Sequence, residues 1–227
     1  QVITDITLGI DEPNVMAQKA VEKVKLGFDT LKIKVGTGIE ADIARVKAIR
    51  EAVGFDIKLR LDANQAWTPK DAVKAIQELA DYQIELVEQP VKRRDLEGLK
   101  YVTSKVNTTI MADESCFDAQ DALELVKKGT VDVINIKLMK CGGIHEALKI
   151  NQICETAGIE CMLGCMAEET TIGITAAAHL AAAQKNITRA DLDATFGLET
   201  APVTGGVSLE AKPLLELGEA AGLGISH

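Results

Sequence analysis

The stretch Lys58-Leu59-Arg60-Leu61-Asp62-Ala63-Asn64-Gln65 decides how the rest of this chain is read. Polar and apolar residues alternate in it, and side chains two apart on a strand share a face. Lys58, Arg60, Asp62 and Asn64 therefore point one way, while Leu59, Leu61 and Ala63 point the other. Charges on a buried face persist only when they are paired or bound to a metal, so this strand demands partners from elsewhere in the chain.

On either side of it, short β-like runs alternate with helical stretches. Strands are read at 3–10, 31–35, 58–65, 86–90, 110–114, 131–139, 159–164 and 191–194, and helices at about 13–25, 41–53, 68–82, 95–104, 118–128, 142–157 and 170–183. Thr68-Pro69 offers an N-cap followed by a first-turn proline, Asp118 offers a second cap, and Gly27 and Gly129 are stop signals. Polar residues at the strand ends recur at one period: Lys34 to Asp62 is 28 residues, Asp62 to Glu88 is 26, Glu88 to Asp113 is 25, Asp113 to Lys137 is 24 and Lys137 to Leu163 is 26. Strands separated by a helical crossover run parallel, and seven or eight such units close into a barrel more readily than they spread as an open sheet. The expected fold is α/β, a TIM-type (β/α)7β barrel over residues 1–195, with 196–227 as a C-terminal tail packed on it in a single domain. No Gly-x-Gly-x-x-Gly turn follows the first strand, which disfavours a dinucleotide-binding sheet.

Composition narrows the partners. The 227 residues are 47% hydrophobic, enough for a sizeable core, and carry 25 basic against 34 acidic residues for a net charge of −9. With few aromatics and no basic run, the chain is not expected to bind nucleic acid or an anionic membrane surface, which leaves small molecules. No segment is long and apolar enough to span a bilayer; the run around 174–183 carries His179 and reads as a buried helix. The start, Gln1-Val2-Ile3-Thr4, has no basic region, cleavage signature or initiator Met, so upstream residues are expected to have been removed. Five cysteines, odd in number and without a Cys-x-x-Cys pair, favour a reduced, cytoplasmic setting. His145, His179 and His227 sit at no zinc-like spacing from these thiols.

In a barrel the active site lies at the C-terminal ends of the strands. Asp62, Glu88 and Asp113 end three neighbouring strands, and carboxylates crowded into one mouth take up protons unless a cation sits among them. An all-oxygen set suits Mg²⁺ or Mn²⁺. Lys32 and Lys34 share a face on the second strand, and Lys137 ends the sixth, across the mouth. Two lysines facing each other across a carbon acid can remove a proton from one face and return one to the other, and nearby cations are expected to push a lysine's pKa down towards the value a base needs. Each feature also has a plainer reading, an Asp as a turn former and a strand-end Lys as a solvated edge residue. Recurrence at one end of every unit favours the catalytic reading. Lys140 competes with Lys137, but odd–even alternation places it on the opposite face, in the loop.

These residues resemble the enolase superfamily, in its muconate-lactonizing subgroup, and within it most closely the dipeptide epimerases. The matching motifs are Lys32-Ile33-Lys34, Leu61-Asp62-Ala63-Asn64, Val87-Glu88-Gln89-Pro90, Met111-Ala112-Asp113-Glu114-Ser115 and Asn135-Ile136-Lys137-Leu138-Met139-Lys140-Cys141-Gly142-Gly143. The resemblance implies that Asp62, Glu88 and Asp113 hold Mg²⁺, that Lys34 and Lys137 are the two acid/base groups, that Lys32 helps neutralise the substrate carboxylate, and that Asn64 and Glu114 support the site. Asp191-Leu192-Asp193 is similar to the Asp-x-Asp that in dipeptide epimerases holds the substrate's α-ammonium, and Met166 lies in the segment similar to the family's specificity loop. The implied activity is Mg-dependent epimerisation of dipeptides of the L-Ala-D/L-Glu type, an isomerase reaction through an enediolate. Two alternatives stand beside it: another activity of the subgroup (N-acylamino acid racemase, o-succinylbenzoate synthase, cycloisomerase), and a barrel module that binds metal without catalysing anything. Family members also carry an N-terminal capping domain over the barrel mouth, and nothing in this chain corresponds to it. Its absence predicts an exposed apolar surface, a homo-oligomer, or a capping domain supplied separately.

Overall fold

The fold is taken from a computed structural model that describes residues 1–200, 203–208 and 210–226. Eight parallel strands form one sheet in sequence order: β2 (Ile6–Leu8), β3 (Thr30–Lys34), β4 (Lys58–Asp62), β5 (Ile84–Glu88), β6 (Thr109–Ala112), β7 (Val133–Lys137), β8 (Glu160–Gly164) and β9 (Ile187–Asp191). Seven helices connect them: α1 (Pro13–Lys25), α2 (Ile39–Val53), α3 (Pro69–Glu78), α4 (Leu96–Lys105), α5 (Ala119–Lys128), α7 (Ile144–Ala157) and α8 (Thr171–Ala183), with a one-turn α6 (Leu138–Cys141) between β7 and α7. The result is a TIM-type (β/α)7β barrel.

The seam between β2 and β9 is closed by individual bonds. The Asp5 N–H donates to Ala190 O at 3.2 Å, the Leu192 N–H to Thr4 Oγ1 at 2.7 Å, and the Thr7 N–H to Asp193 Oδ2 at 2.7 Å. The expected first strand is divided. Its start, β1 (Val2–Ile3), pairs antiparallel with β11 (Leu214–Leu215) of the tail, and a second short pair joins β10 (Thr204–Gly205) to β12 (Ile225–Ser226).

Local sequence accounts for the helix ends. Thr68 Oγ1 accepts from the Asp71 N–H at 3.3 Å with Pro69 in the first turn, Asp95 and Asp118 accept from Gly98 and Asp121, and Gly129 ends α5 in the left-handed conformation at φ 61°. Leu31, Ile33, Leu59, Leu61, Val87, Ile110, Ile134 and Ile136 pack outward against the helices in the main core. Inside the barrel, Leu86, Met111, Val133 and Met162 form a small separate apolar cluster beside Arg60, whose Nη1 lies 3.8 Å from Met162 Sδ. Apolar side chains thus fill only part of the interior, and charged and polar side chains such as Lys32, Arg60, Glu88 and Asn135 fill the rest.

Two expectations are corrected here. The eighth strand lies at Ile187–Asp191 rather than 191–194, so Asp191 is its last residue and Asp193 sits in the helical-region turn beyond it at φ −94°. Lys58 is exposed and needs no partner, whereas Arg60 is buried and has two: Asp5 Oδ2 and Glu85 Oε2, both at 2.7 Å.

Candidate active site

Five consecutive strands, β3 to β7, deliver Lys34, Asp62, Glu88, Asp113 and Lys137 to one end of the barrel, with Asp113 one residue beyond the end of β6. Register aligns them: Lys34 pairs with Asp62, and Asp62 with Glu88. Lys34 and Lys137 are four strands apart in an eight-stranded barrel, so they flank the mouth from opposite sides. The cavity between them, of about 600 Å³, is lined by Lys32, Lys34, Asn64, Asp113, Glu114, Lys137, Met166, Asp191 and Asp193, and also by Thr7, Phe117, Met139, Lys140 and Cys165. Asp62 and Glu88 lie deeper, under the lysines.

Lys32 is the centre of the buried charge. Its Nζ lies 2.7 Å from Glu88 Oε2, 2.7 Å from Asp191 Oδ2 and 3.1 Å from Asp62 Oδ2. Burial alone would strip its proton, but Asp191, Glu88 and Asp62 outweigh that and raise its pKa, fixing it as an ammonium. Lys34 Nζ donates to Asp62 Oδ2 at 2.6 Å and Asn64 Oδ1 at 2.9 Å; Lys137 Nζ donates to Asp113 Oδ2 at 2.8 Å. Lys137 departs from expectation in one respect. Burial pushes its pKa down, but Asp113 and Glu88 more than reverse this, so it is held protonated rather than poised as a base. A cation engaging those two carboxylates would weaken that hold.

Sequence alternation misplaced Lys140. Because the chain turns into α6 directly after Lys137, Lys140 swings back over Asp113, with Nζ 2.6 Å from Asp113 Oδ1 and donating to Asn135 O at 2.9 Å. A period-of-two argument fails where the strand becomes a helix. Asn135, which stands in one of the matching motifs without a role assigned from sequence, donates from Nδ2 to Glu88 Oε1 at 2.6 Å. It reaches Glu88 because Gly164 opposite has no Cβ; one built there would lie 2.6 Å from Asn135 Oδ1. Gln89 is a third such residue, accepting from the Asp113 and Ser115 N–H groups at 2.9 and 3.1 Å and so tying the β5 and β6 ends together. Glu114 Oε1 accepts from Asn64 Nδ2 at 3.4 Å and Gln65 Nε2 at 3.1 Å, which orients both amides.

The acids suit a divalent cation. Burial and the neighbouring Asp62 push Glu88 up to about 7 despite Lys32. Glu88 Oε2 and Asp113 Oδ1 are buried without a well-directed hydrogen bond, with the Lys32 and Lys140 ammonium groups 2.7 and 2.6 Å from them. Burial opposes ionisation of Asp113, but Lys140 and Lys137 hold its pKa well below the carboxylate range. Among the described residues, the group whose ligand atoms all lie within 4.8 Å of one another is Cys165, Asp191 and Asp193, while ammonium groups lie among Asp62, Glu88 and Asp113. Asp191 and Asp193 thus converge from the strand end and the turn. Burial raises both, Lys32 brings Asp191 back below its usual value, and Asp193 stays raised beside Asp191. Met166 is 42% exposed at the rim, and Phe117, Met139, Ile144 and Ile172 expose further apolar surface on the loops and helix starts at this end.

A parallel barrel with acids and lysines at successive strand ends defines an enolase-type barrel. The chain belongs to the enolase C-terminal domain-like family, whose model matches residues 15–227. It is 99% identical over 227 residues to a hydrophobic dipeptide epimerase of Enterococcus faecalis, covering 100% of this chain and 64% of that protein. It is 52% identical over 225 residues to the L-Ala-D/L-Glu epimerase of Bacillus subtilis, covering 98% of this chain and 61% of that protein. Among solved structures, a dipeptide epimerase from Enterococcus faecalis complexed with Mg and the dipeptide L-Leu-L-Tyr superposes with a TM-score of 0.99 at 99% identity, over 100% of this chain and 64% of that one. The chain therefore spans just under two thirds of the length of these relatives. Among the described residues, no helix is long and apolar enough to cross a membrane.

Proposed function

We propose that this barrel catalyses Mg-dependent epimerisation of dipeptides, with Lys34 and Lys137 as a pair of acid/base groups. The observation that carries the reading is their placement on β3 and β7, across the mouth from each other, with Asp62, Glu88 and Asp113 on the strands between. When bound by those three carboxylates, a divalent cation would supply the positive charge that an enediolate needs. Lys32, fixed as an ammonium, adds positive charge for the substrate carboxylate. One lysine takes the α-proton on one face while the other gives its proton to the opposite face; the stereocentre inverts, and exchange with water resets the pair. Asp191 and Asp193 receive the dipeptide's α-ammonium, a cation that acylated substrates lack, and this favours dipeptides over N-acylamino acids, succinylbenzoate precursors or muconates. The apolar rim of Met166, Met139 and Phe117 suits apolar side chains, in keeping with the hydrophobic dipeptide epimerase named above.

The test is proton exchange in deuterated water with Mg²⁺ and the dipeptides L-Ala-L-Glu and L-Leu-L-Tyr. Lys34→Ala and Lys137→Ala each reduce epimerisation by about 10²–10⁴-fold, while the surviving lysine still exchanges the α-proton of one epimer. If either variant epimerises at the parent rate, the two-base scheme is wrong. A parent chain that binds Mg²⁺ yet exchanges no dipeptide proton would establish a metal-binding module instead.

A further inference from the structure

Beneath Asp191, at the seam where the first and last barrel strands meet, lies a carboxyl group that the scheme above does not use. Asp5 is 1% exposed. Its Oδ2 accepts from Arg60 Nη1 at 2.7 Å, and its backbone N–H donates to Ala190 O at 3.2 Å. Asp191 is held from the other side: its Oδ2 accepts from Lys32 Nζ at 2.7 Å, and the next residue's N–H donates to Thr4 Oγ1 at 2.7 Å. One oxygen on each acid is left over. Asp5 Oδ1 and Asp191 Oδ1 are both buried without a donor, and the seam bonds from Asp5 to Ala190 and from Leu192 to Thr4 set the two acids side by side.

Two ionised carboxylates cannot satisfy that contact, because both are acceptors and they repel. A single proton converts it into an O–H···O⁻ bond, one of the stronger hydrogen bonds available to a protein. The surroundings decide which acid keeps the proton. The charged groups facing Asp5 are Arg60 on β4, Lys32 on β3, Asp191 at the end of β9 and Asp193 in the turn beyond it. Burial and Asp191 raise Asp5 well above its usual pKa, and Arg60 and Lys32 do not reverse this. Asp191, pushed up by burial, is brought back down by Lys32.

We propose that Asp5 is a positioning residue whose carboxylic O–H donates to Asp191 Oδ1, holding in place the ionised carboxylate that meets the substrate's α-ammonium. This rests on the dipeptide reading above. Asp5 touches no substrate; it acts through Asp191.

The test compares Asp5→Ala, Asp5→Leu and Asp5→Asn in this chain with Mg²⁺ and L-Leu-L-Tyr. An asparagine amide keeps both an acceptor for Arg60 and a donor for Asp191. Asp5→Ala and Asp5→Leu therefore raise KM about tenfold or more with a smaller change in kcat, and Asp5→Asn restores KM to within about twofold of the parent. A structural role alone would lower stability without this KM split or its rescue. Independently of turnover, the infrared difference spectrum between parent and Asp5→Asn at pH 7 shows the carbonyl band of a protonated carboxylic acid lost in the variant. If that band is missing, or if Asp5→Asn loses KM as severely as Asp5→Ala, the proposal is overturned. Should the alanine and leucine variants not fold, the asparagine KM and the infrared band decide the matter. A parent chain without epimerase activity refutes the dipeptide reading, while the band still reports the proton on Asp5.

Discussion

Two ionic networks lie one layer apart inside the same barrel, and they differ in how their cations are partnered. Lys32 pairs in register with Arg60, and Lys34 with Asp62, so the networks are separated by two residues of the same strands. In the lower one, Arg60 meets Asp5 and Glu85 at 2.7 Å each, Glu85 also lies 3.4 Å from Arg189, and Arg189 is 2.6 Å from Glu160. In the upper one, Glu88 is pushed up to about 7, and Glu88 Oε2 and Asp113 Oδ1 lack hydrogen bonds of good geometry. The chain beside it is strained as well, with Asn64, Gln65 and Gln89 at φ 41°, 68° and 37°. A buried guanidinium with its donors matched holds strands together. A cluster of crowded acids in a strained frame is what a protein tolerates where a ligand binds.

The sharpest way to break this comparison is to remove one cation from each layer. Arg60→Met leaves Glu85 without its main partner and is expected to cost about 3–5 kcal/mol in urea unfolding, as for other half-broken buried pairs. Lys34→Met leaves Asp62 with Lys32 at 3.1 Å and removes a side chain that is 30% exposed, so its cost is about 1 kcal/mol or less, while under the proposed function epimerisation collapses. Equal losses of stability from the two substitutions would make both networks structural.

Glu88 supplies the next contrast, through pH. Its folded pKa of about 7 lies above the unfolded value near 4.5, so between those values the folded state binds more protons than the unfolded one. Its contribution therefore lowers stability as pH rises from about 4.5 to 7, by about 3 kcal/mol in total. In metal-free protein, Glu88→Gln flattens the stability–pH curve across that window, and saturating Mg²⁺ does the same for the parent. If the parent curve rises with pH there while the variant's stays unchanged, the acids are not crowded as described.

The upper network was largely legible in sequence and the lower one was not. Lys34, Asp62, Glu88, Asp113 and Lys137 recur at 24–28 residues because each repeat must return the chain to the same rim, and that period survives in the linear order. Arg60's partners, Glu85 at 25 residues and Asp5 at 55, also fall on the repeat, but neither lies at the strand end that closes on the mouth, so no rim motif marks them. Lys140 was hidden by the change from strand to helix after Lys137. The eighth strand was misplaced because Thr188 and Arg189 break its apolar run, Thr188 being exposed and Arg189 engaged with Glu85 and Glu160. Local pattern reports which face a residue occupies; it does not report which distant residue shares that face.

The smallest effect tests strain at the two ends of one strand. Gln83 and Gln89 flank β5, and both have positive φ, 50° and 37°. Gln83 lies at the end away from the mouth, its side chain is exposed, and its backbone accepts from Arg50 Nη2 at 3.2 Å and donates to Ala80 O at 3.2 Å. Glycine keeps both bonds and relaxes the left-handed backbone, so Gln83→Gly is expected to gain about 0.5 kcal/mol, the strain relieved slightly exceeding the added entropy of the unfolded chain. Gln89 has the same kind of backbone, but its buried amide also donates to Ser115 Oγ at 2.8 Å and Val91 O at 3.0 Å and holds the Asp113 backbone. Gln89→Gly therefore loses more in hydrogen bonds than it gains in strain, and it frees a carboxylate of the mouth. Urea midpoints that move in opposite directions for the two variants would place the strain at the mouth under the control of the site, whereas a gain in both would make it incidental to the turn.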